Sequence, residues 1–435
     1  MKVLKSLVIL LLAAALLAGC AASPSSVVHS GTPFKLLVLN CGSSSVKFRL
    51  YEMESETLLA KGAADRIGVD GHLRFEPQNG GAVLVEDRLF PTHEEAIAAL
   101  LDLLTSPGYG VLESLSEIRA VGHRVVHGGE SLKDSVRIDG EVLKTIRDCI
   151  SLAPLHNPAA LAGIEACREL LGEVPQVAVF DTAFHVTMPE KAYLYAIPYE
   201  YYEDYQVRRY GFHGISHRDA ARRAAELLGK SPEELKLISC HLGGGSSVCA
   251  VLGGKSIDTT MGFTPASGLP MGTRSGDIDP AMIGYLAENC DLEVSEVTAV
   301  LQEESGLLGV SGLSSDYRDL EAAANSGDSR AALALEIYHY AVAKAIGAYA
   351  AAMNGVDGII FTAGIGENSA AARKAICAYL TYLGVRLEPE QKDSYSGATR
   401  ISARGSKVAV MVIPADEELV IARDTLAIVR ELPAN

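Results

Sequence analysis

Leu235-Lys-Leu-Ile-Ser-Cys-His-Leu-Gly-Gly-Gly-Ser-Ser247 runs an apolar segment into three glycines and two serines, and a second apolar segment follows from Val248 to Leu252. A short apolar run bounded by turn residues reads as a buried strand. The glycines let the backbone turn and bring its N–H groups close to a ligand. Successive free N–H groups of this kind form a nest for an anion, and the serine hydroxyls add donors. A tight hairpin without a ligand would use the same residues, so the segment alone is ambiguous. It is not alone, because Leu36-Leu-Val-Leu-Asn-Cys-Gly-Ser-Ser-Ser-Val-Lys-Phe48 repeats the order of apolar strand, Gly/Ser turn and apolar strand. Two such clasps, far apart in the chain, predict an α/β protein with two related halves facing each other across a nucleotide.

Bulk properties agree with that reading. A chain of 435 residues has room for two or three domains with their own cores. With 48% hydrophobic and 21% charged residues it has the composition of an ordinary globular protein. The net charge of −16 excludes the basic stripe of a nucleic-acid binder, so an anionic substrate must be drawn in by local Arg and His residues. Eight cysteines without a Cys-x-x-Cys spacing exclude a zinc or disulfide framework and read as small core residues.

The N-terminus reads differently. Lysines precede an apolar run from Leu7 to Ala18, too short to span a bilayer but suited to a signal-peptide core. Leu17-Ala-Gly-Cys20 matches a lipobox in which Cys20 would be acylated, and Ala21 to Pro33 has the composition of a tether. Residues 1–33 are therefore expected to lie outside the fold, as a lipoprotein-like signal and tether. Nucleotide chemistry argues instead for the cytoplasm, with membrane anchorage through Cys20 as the alternative. A start codon further downstream would reconcile the two.

Within the first half, Asn40 ends the first apolar strand, and Ser43, Ser45 and Lys47 offer donors. Thr92-His-Glu-Glu95 is a capping box ahead of a scaffold helix. Val121-Gly-His-Arg-Val-Val-His-Gly-Gly129 places Arg124 between an apolar run and a Gly pair, where it can reach into a cleft or lie on the surface. His127 reads as structural. In Ala153-Pro-Leu-His-Asn-Pro158, Asn157 is expected to cap a helix starting at Pro158, with His156 just before an anion-favouring N-terminus. Asp181 closes the buried run Gln176 to Phe180, a position suited to a catalytic or metal-associated carboxylate, or to an N-cap.

In the second half, Arg209-Tyr-Gly-Phe-His-Gly-Ile-Ser-His217 offers His213 in a loop, with Ser216 as the expected cap of the following helix and His217 as a structural residue. The Gly/Pro-rich loop from Thr264 to Pro280 carries Arg274 among small hydroxyl residues, a composition more typical of functional loops than of connectors. Asp316 and Arg318 sit near the start of a further helix. Gly355 to Asn368 is expected to be strand, Gly-rich turn and helix, and Met411 to Pro414 a strand leading into Asp416-Glu-Glu418.

Taken in order, Asn40-Cys-Gly-Ser-Ser-Ser-Val-Lys47, Arg124-Val-Val-His-Gly-Gly129, Pro154-Leu-His-Asn-Pro158, Phe180-Asp-Thr-Ala-Phe-His185, Gly211-Phe-His-Gly-Ile-Ser-His217, Met271-Gly-Thr-Arg-Ser-Gly-Asp277, Ser315-Asp-Tyr-Arg-Asp319 and Phe361-Thr-Ala-Gly-Ile-Gly-Glu-Asn368 resemble the acetate/propionate/butyrate kinase family. That family falls in the actin-like, sugar-kinase and heat-shock ATPase superfamily, and the likeness covers residues from about 34 to 432. The resemblance implies two actin-like, ribonuclease H-like domains with a central active-site cleft. Residues 34–181 plus 419–435 would form one domain and 182–418 the nucleotide-binding one. It implies reversible transfer of the ATP γ-phosphoryl group to acetate, giving acetyl phosphate and ADP, with Mg²⁺ (or Mn²⁺) as cofactor and a homodimer as the assembly.

By the same resemblance Asp181, His213 and Arg274 would be catalytic, and Arg124 would bind the substrate carboxylate. Val126, Leu155, Phe212 and Pro265 would surround the acetate methyl group. Lys47, His241, Leu242, Gly243, Gly244, Gly245, Asp316, Tyr317, Arg318, Gly364, Ile365, Gly366, Glu367 and Asn368 would contact ATP, and Asn40 and Glu417 would serve the metal. One departure lies in the second clasp, where the family usually has His-Leu-Gly-Asn-Gly and Gly244 replaces the asparagine, losing an amide contact to phosphate. Butyrate kinases share the Gly-rich form, which makes a propionate or butyrate kinase the nearest alternative. A non-enzymatic ATP-binding scaffold is the alternative of another class, but it has no use for Arg124, His213 and Arg274 together. Carboxylates ionise with a pKa of about 4–5, so the acceptor needs no general base at pH 7. Asp181 is then expected to position metal and water, or to orient an Arg or His.

Overall fold

The computed structural model describes residues 33–431. The leader, its lipobox and all but the last residue of the tether lie outside the described residues. Among those described, no helix is long and apolar enough to cross a membrane.

The first sheet contains β1 Lys35–Gly42, β2 Ser45–Glu52, β3 Thr57–Asp65, β4 His72–Pro77, β5 Leu84–Asp87, β6 Ile118–Val125, β7 Val136–Arg137 and β8 Gln176–Phe180. Its order is β5-β4-β3-β2-β1-β6-β8-β7. The second sheet contains β9 Lys236–Leu242, β10 Ser246–Leu252, β11 Lys255–Thr259, β12 Gly358–Thr362, β13 Thr399–Arg400 and β14 Ala409–Val412, in the order β11-β10-β9-β12-β14-β13. The two cores share one plan. In the first, β1 pairs antiparallel with β2 and parallel with β6, which pairs parallel with β8. In the second, β9 pairs antiparallel with β10 and parallel with β12, which pairs parallel with β14. Each quoted clasp is thus the hairpin that opens its sheet, as expected of two related actin-like halves.

Period-two alternation then places the side chains. On β1, Leu37, Leu39 and Cys41 enter the core beneath helix His93–Thr105, whereas Leu36 and Val38 pack under helix Glu417–Arg430 with its Val420, Ile421 and Ala422. The C-terminal helix therefore returns to the first sheet. On β9, Ile238, Cys240 and Leu242 pack beneath the long helix Ser329–Ala352. Leu237 lies on the opposite face, with Ala220, Ala221, Ala224 and Ala225 of helix Gly214–Leu228. That helix also sends Ile215 into the first sheet's cluster, which ties the two halves together.

Three local expectations are corrected. Helix Asn157–Leu171 begins one residue early, and Asn157 is buried, bonding His127 through both its N–H and C=O and reaching the Ile146 carbonyl. Helix Gly214–Leu228 is capped by His213 at φ 58°, not by Ser216. A Cβ at Gly214 would lie 2.3 Å from the Asp181 carbonyl oxygen, so only glycine lets the helix start there. The Gly-rich stretch after β12 is not a turn but the short helix Ala363–Asn368, entered through Ala363 at φ 64°. Two non-glycine residues in the left-handed region, His213 and Ala363, thus flank the second clasp, a placement typical of functional strain.

Burial holds His123, His127 and His185 at about 4. An unfolded histidine titrates near 6.5, so between pH 6.5 and 4 the unfolded chain takes up protons that the folded chain refuses. Stability is therefore full above 6.5 and falls on acidification by about 1.4 kcal/mol per pH unit for each such histidine. The urea midpoint should drop clearly between pH 7 and pH 5. A flat midpoint would show that these rings are protonated inside the fold.

Candidate active site

β1, β6 and β8 are neighbouring parallel strands, and ligands of such sheets collect beyond their carboxyl ends. Asn40, Arg124 and Asp181 occupy those ends. Asn40 stands opposite Arg124 in the register, and Asp181 follows the last residue of β8. Alternation puts all three on the face covered by helix Glu417–Arg430, whose first residue is Glu417.

Arg124 donates from Nη2 to Asp181 Oδ2, and from Nη1 to Asn40 Oδ1 at 3.4 Å. Asp181 is 1% exposed, its N–H bonds the Val125 carbonyl at 3.0 Å, and its carbonyl accepts from Gly214 at 2.9 Å. Burial works against the charge on Arg124, but Asp181 and Glu417 more than offset it and raise its pKa. Glu417 is pushed up to about 7, first by burial and then by Asp181 and Glu418, against the pull of Arg124.

The second sheet supplies the facing wall. Ser239 and His241 on β9 and Ser247 on β10 share the face toward helix Gly214–Leu228. His241 Nδ1 lies 2.8 Å from Ser216 Oγ and 4.0 Å from Glu417 Oε1, which bridges the two halves. Its ring stacks on His213 at 4.0 Å. A Cβ on Gly245 would stand 3.4 Å from His213 Nε2 and 3.5 Å from Arg274 Nη1, so both side chains converge on this turn. Arg274 is steadied by the Pro265 carbonyl at 3.2 Å and Met271 Sδ at 3.6 Å. His213 is driven well below its ordinary value by burial, then by His241 and His217, then by Arg124 and Arg274. His156 is lowered first by burial and then by the charges of Arg124 and Arg274.

A cavity and an apolar cluster adjoin these residues. A cavity of about 510 Å³ is lined by Gly243, Gly244, Asp316, Tyr317, Arg318, Gly364, Ile365 and Asn368 among the expected nucleotide residues. Gly272, Ser315 and Ser369 line it as well, and the sequence reading missed them. Leu242 does not line it but is core, Gly366 packs against Phe361, and Glu367 accepts from the Ala415 N–H at 2.8 Å. His241 and Gly245 face the histidine–arginine cluster instead. Lys47 is exposed and sits opposite Asn40 across β1 and β2. Beside the histidine–arginine cluster lies a small buried apolar cluster of Val126, Phe212, Met261 and Met271. The methionines were not foreseen, because loop residues carry no periodic signal. Leu155, at 58% exposed, does not belong to that cluster.

A cation fits beside Asp181. Its Oδ1 is buried without a partner, and Glu417 and the Asn40 amide oxygen complete a hard oxygen set. Among the described residues no group of three or more His, Cys, Asp or Glu side chains could hold a metal. Magnesium does not need one, since it commonly takes one or two carboxylates plus waters and substrate phosphates.

The model of the acetokinase family matches residues 35–423. The chain belongs to the acetokinase family. The acetate kinase of Carboxydothermus hydrogenoformans is 55% identical over 395 residues, covering 91% of this chain and 99% of that protein. The crystal structure of Porphyromonas gingivalis acetate kinase, 45% identical, superposes with a TM-score of 0.87 over 91% of this chain and all of that one. A propionate kinase structure from Francisella tularensis, 43% identical, gives 0.84 over 91% and 99%. In this acetokinase, Gly244 opens onto the cavity with no atom within 4 Å of its missing side chain. Gly244→Asn therefore has room to add a phosphate contact, and a net hydrogen bond lowers the ATP KM about 2- to 10-fold. An unchanged or raised ATP KM in steady-state kinetics would mean that the amide finds no phosphate there.

Proposed function

We propose that the protein is an acetate kinase, transferring the γ-phosphoryl group of ATP reversibly to acetate. The observation that carries this is that His213 and Arg274 meet at the Gly245 turn, next to Gly243 and Gly244 of the 510 Å³ cavity and to Phe212 and Met271 of the apolar cluster, within reach of the Arg124 charge. A site that only holds nucleotide has no need of a second anion well with an apolar floor. In this reading residues 34–181 with 419–435 form the acceptor-side domain, and 182–418 the nucleotide-side one.

Phosphoryl transfer depends on positioning and charge neutralisation. Arg124 receives the acetate carboxylate, and Val126, Phe212, Met261 and Met271 exclude water around its methyl group. The γ-phosphoryl group lies over Gly243 to Gly245, where Arg274 and His213 meet its equatorial oxygens in the transition state. The acceptor is already ionised, so Asp181 is not needed as a base and holds Arg124 in place. Asp181, Glu417 and Asn40 would hold Mg²⁺ (or Mn²⁺), which would neutralise charge on the β- and γ-phosphates. We place the reaction in the cytoplasm, where ATP is made, and the active form as a homodimer. Anchorage through an acylated Cys20 is the alternative location.

The test is acyl-phosphate formation by the full chain from ATP, Mg²⁺ and acetate, propionate or butyrate. Acetate-preferring turnover is expected, and ATP binding without any acyl phosphate would overturn the proposal. The similarity to a propionate kinase gives the second reading, and propionate preference would select it. The fully buried Met261 limits acyl length in either case. One methylene is worth about 1–3 kcal/mol, so Met261→Ala should raise the propionate-to-acetate ratio of kcat/KM by roughly 10-fold. An unchanged ratio would remove Met261 from the pocket wall.

A further inference from the structure

Behind His213 lies a buried row of three groups that the proposed transfer does not itself use. His213 Nδ1 is 2.8 Å from Ser247 Oγ, Ser247 Oγ is 2.8 Å from His217 Nε2, and His217 Nδ1 is 2.9 Å from Ser239 Oγ. Ser239, Ser247 and His217 are fully buried. Period-two alternation brings both serines to the face of helix Gly214–Leu228, which carries His217 one turn after His213. Burial keeps both rings neutral, so each carries one N–H and one bare nitrogen.

The proton count allows two directions, and a third arrangement in which both rings donate to Ser247 and leave its own proton without an acceptor among the described residues. If Ser247 donates to His213, then His217 donates from Nε2 to Ser247, Ser239 donates to His217 Nδ1, and every buried hydroxyl proton has an acceptor. If the row runs the other way, His217 donates to Ser239, and the Ser239 hydroxyl proton has no acceptor among the described residues. A buried donor without a partner is costly, and the first direction avoids it. Resting on the proposed phosphoryl transfer, we infer that Ser239, His217 and Ser247 are positioning residues that fix His213 as the tautomer with its proton on Nε2, the nitrogen beside Arg274 at the Gly245 turn. In that tautomer His213 offers a donor to a phosphoryl oxygen. In the other it would present a lone pair to an anion. Stacking on His241 at 4.0 Å holds the ring plane while the row sets the proton.

The test is the nitrogen spectrum of the full chain labelled with ¹⁵N-histidine, with the His213 signals assigned by their loss in His213→Gln. The wild type should show His213 and His217 both protonated on Nε2. Ser239→Ala, three hydrogen bonds away from His213, should give mixed His213 tautomers. It should lower kcat about two- to tenfold, with KM for ATP and acetate nearly unchanged, because the donor matters in the transition state. Ser239→Thr, which keeps the hydroxyl, should restore both the tautomer and kcat. A wild-type His213 protonated on Nδ1 would overturn the inference. So would a Ser239→Ala variant that is slow with its tautomer intact, or one unchanged in both. If the wild type makes no acyl phosphate, the functional reading fails separately, and the spectrum still decides the direction of the row.

Discussion

Arg274→Ala should lower kcat by about 10²–10³ while leaving the acetate KM nearly unchanged. The guanidinium is supported from behind by the Pro265 carbonyl and Met271 sulfur, and its Nη1 reaches the clasp at Gly245 rather than Arg124. In the proposed transfer it meets the migrating phosphoryl group, where charge builds only as the transfer proceeds. Arginine keeps its proton in proteins, so this contribution does not depend on pH in the neutral range. Steady-state kinetics in the acetyl phosphate-forming direction measure the split. If KM alone moved, Arg274 would be a binder of ground-state acetate.

Asp181→Asn should be nearly as damaging, by a different route. The carboxylate pairs with Arg124 and leaves its second oxygen buried and unpartnered. The amide keeps the shape but leaves Arg124 without its strongest partner. Removing one member of a buried pair costs about 3–5 kcal/mol of stability. Glu417, relieved of the negative charge next to it, ionises more readily and replaces part of that loss. Misaiming Arg124 by even about 1 Å should lower turnover roughly 10²-fold and raise the acetate KM. Half-saturation by Mg²⁺ should move to higher concentration, as one oxygen ligand is lost. A slow variant with a normal Mg²⁺ response would confine Asp181 to holding Arg124.

Much of this arrangement is legible in the sequence because strands have a period of two. Once Leu36–Asn40 and Leu237–His241 are read as buried strands ending in Gly/Ser turns, alternation alone sets Asn40, His241 and Ser247 on the ligand side. The positions of Arg124 and Asp181 after apolar runs follow in the same way. Loops and helix starts were less legible. Ser216 and Asn157 have the chemistry of caps, yet tertiary partners claim both: His241 takes the Ser216 hydroxyl, and His127 takes the Asn157 amide. Ala363 adopts a positive φ that alanine does not announce, which turns an expected Gly-rich turn into a helix. Met261 and Met271 lie in irregular segments, where no period marks a buried face. Leu155 was carried to the methyl pocket by resemblance alone and stands exposed.

The proposed transfer runs directly between a nucleotide and a carboxylate held in one cleft. The stereochemical course at phosphorus tests it most directly, using the full chain, Mg²⁺, acetate and ATP made chiral at the γ-phosphorus with oxygen isotopes. One in-line displacement predicts acetyl phosphate with inverted configuration. Retention would require a phosphorylated protein intermediate, and the absence of acetyl phosphate would mean no transfer to acetate; either result would rule out direct transfer.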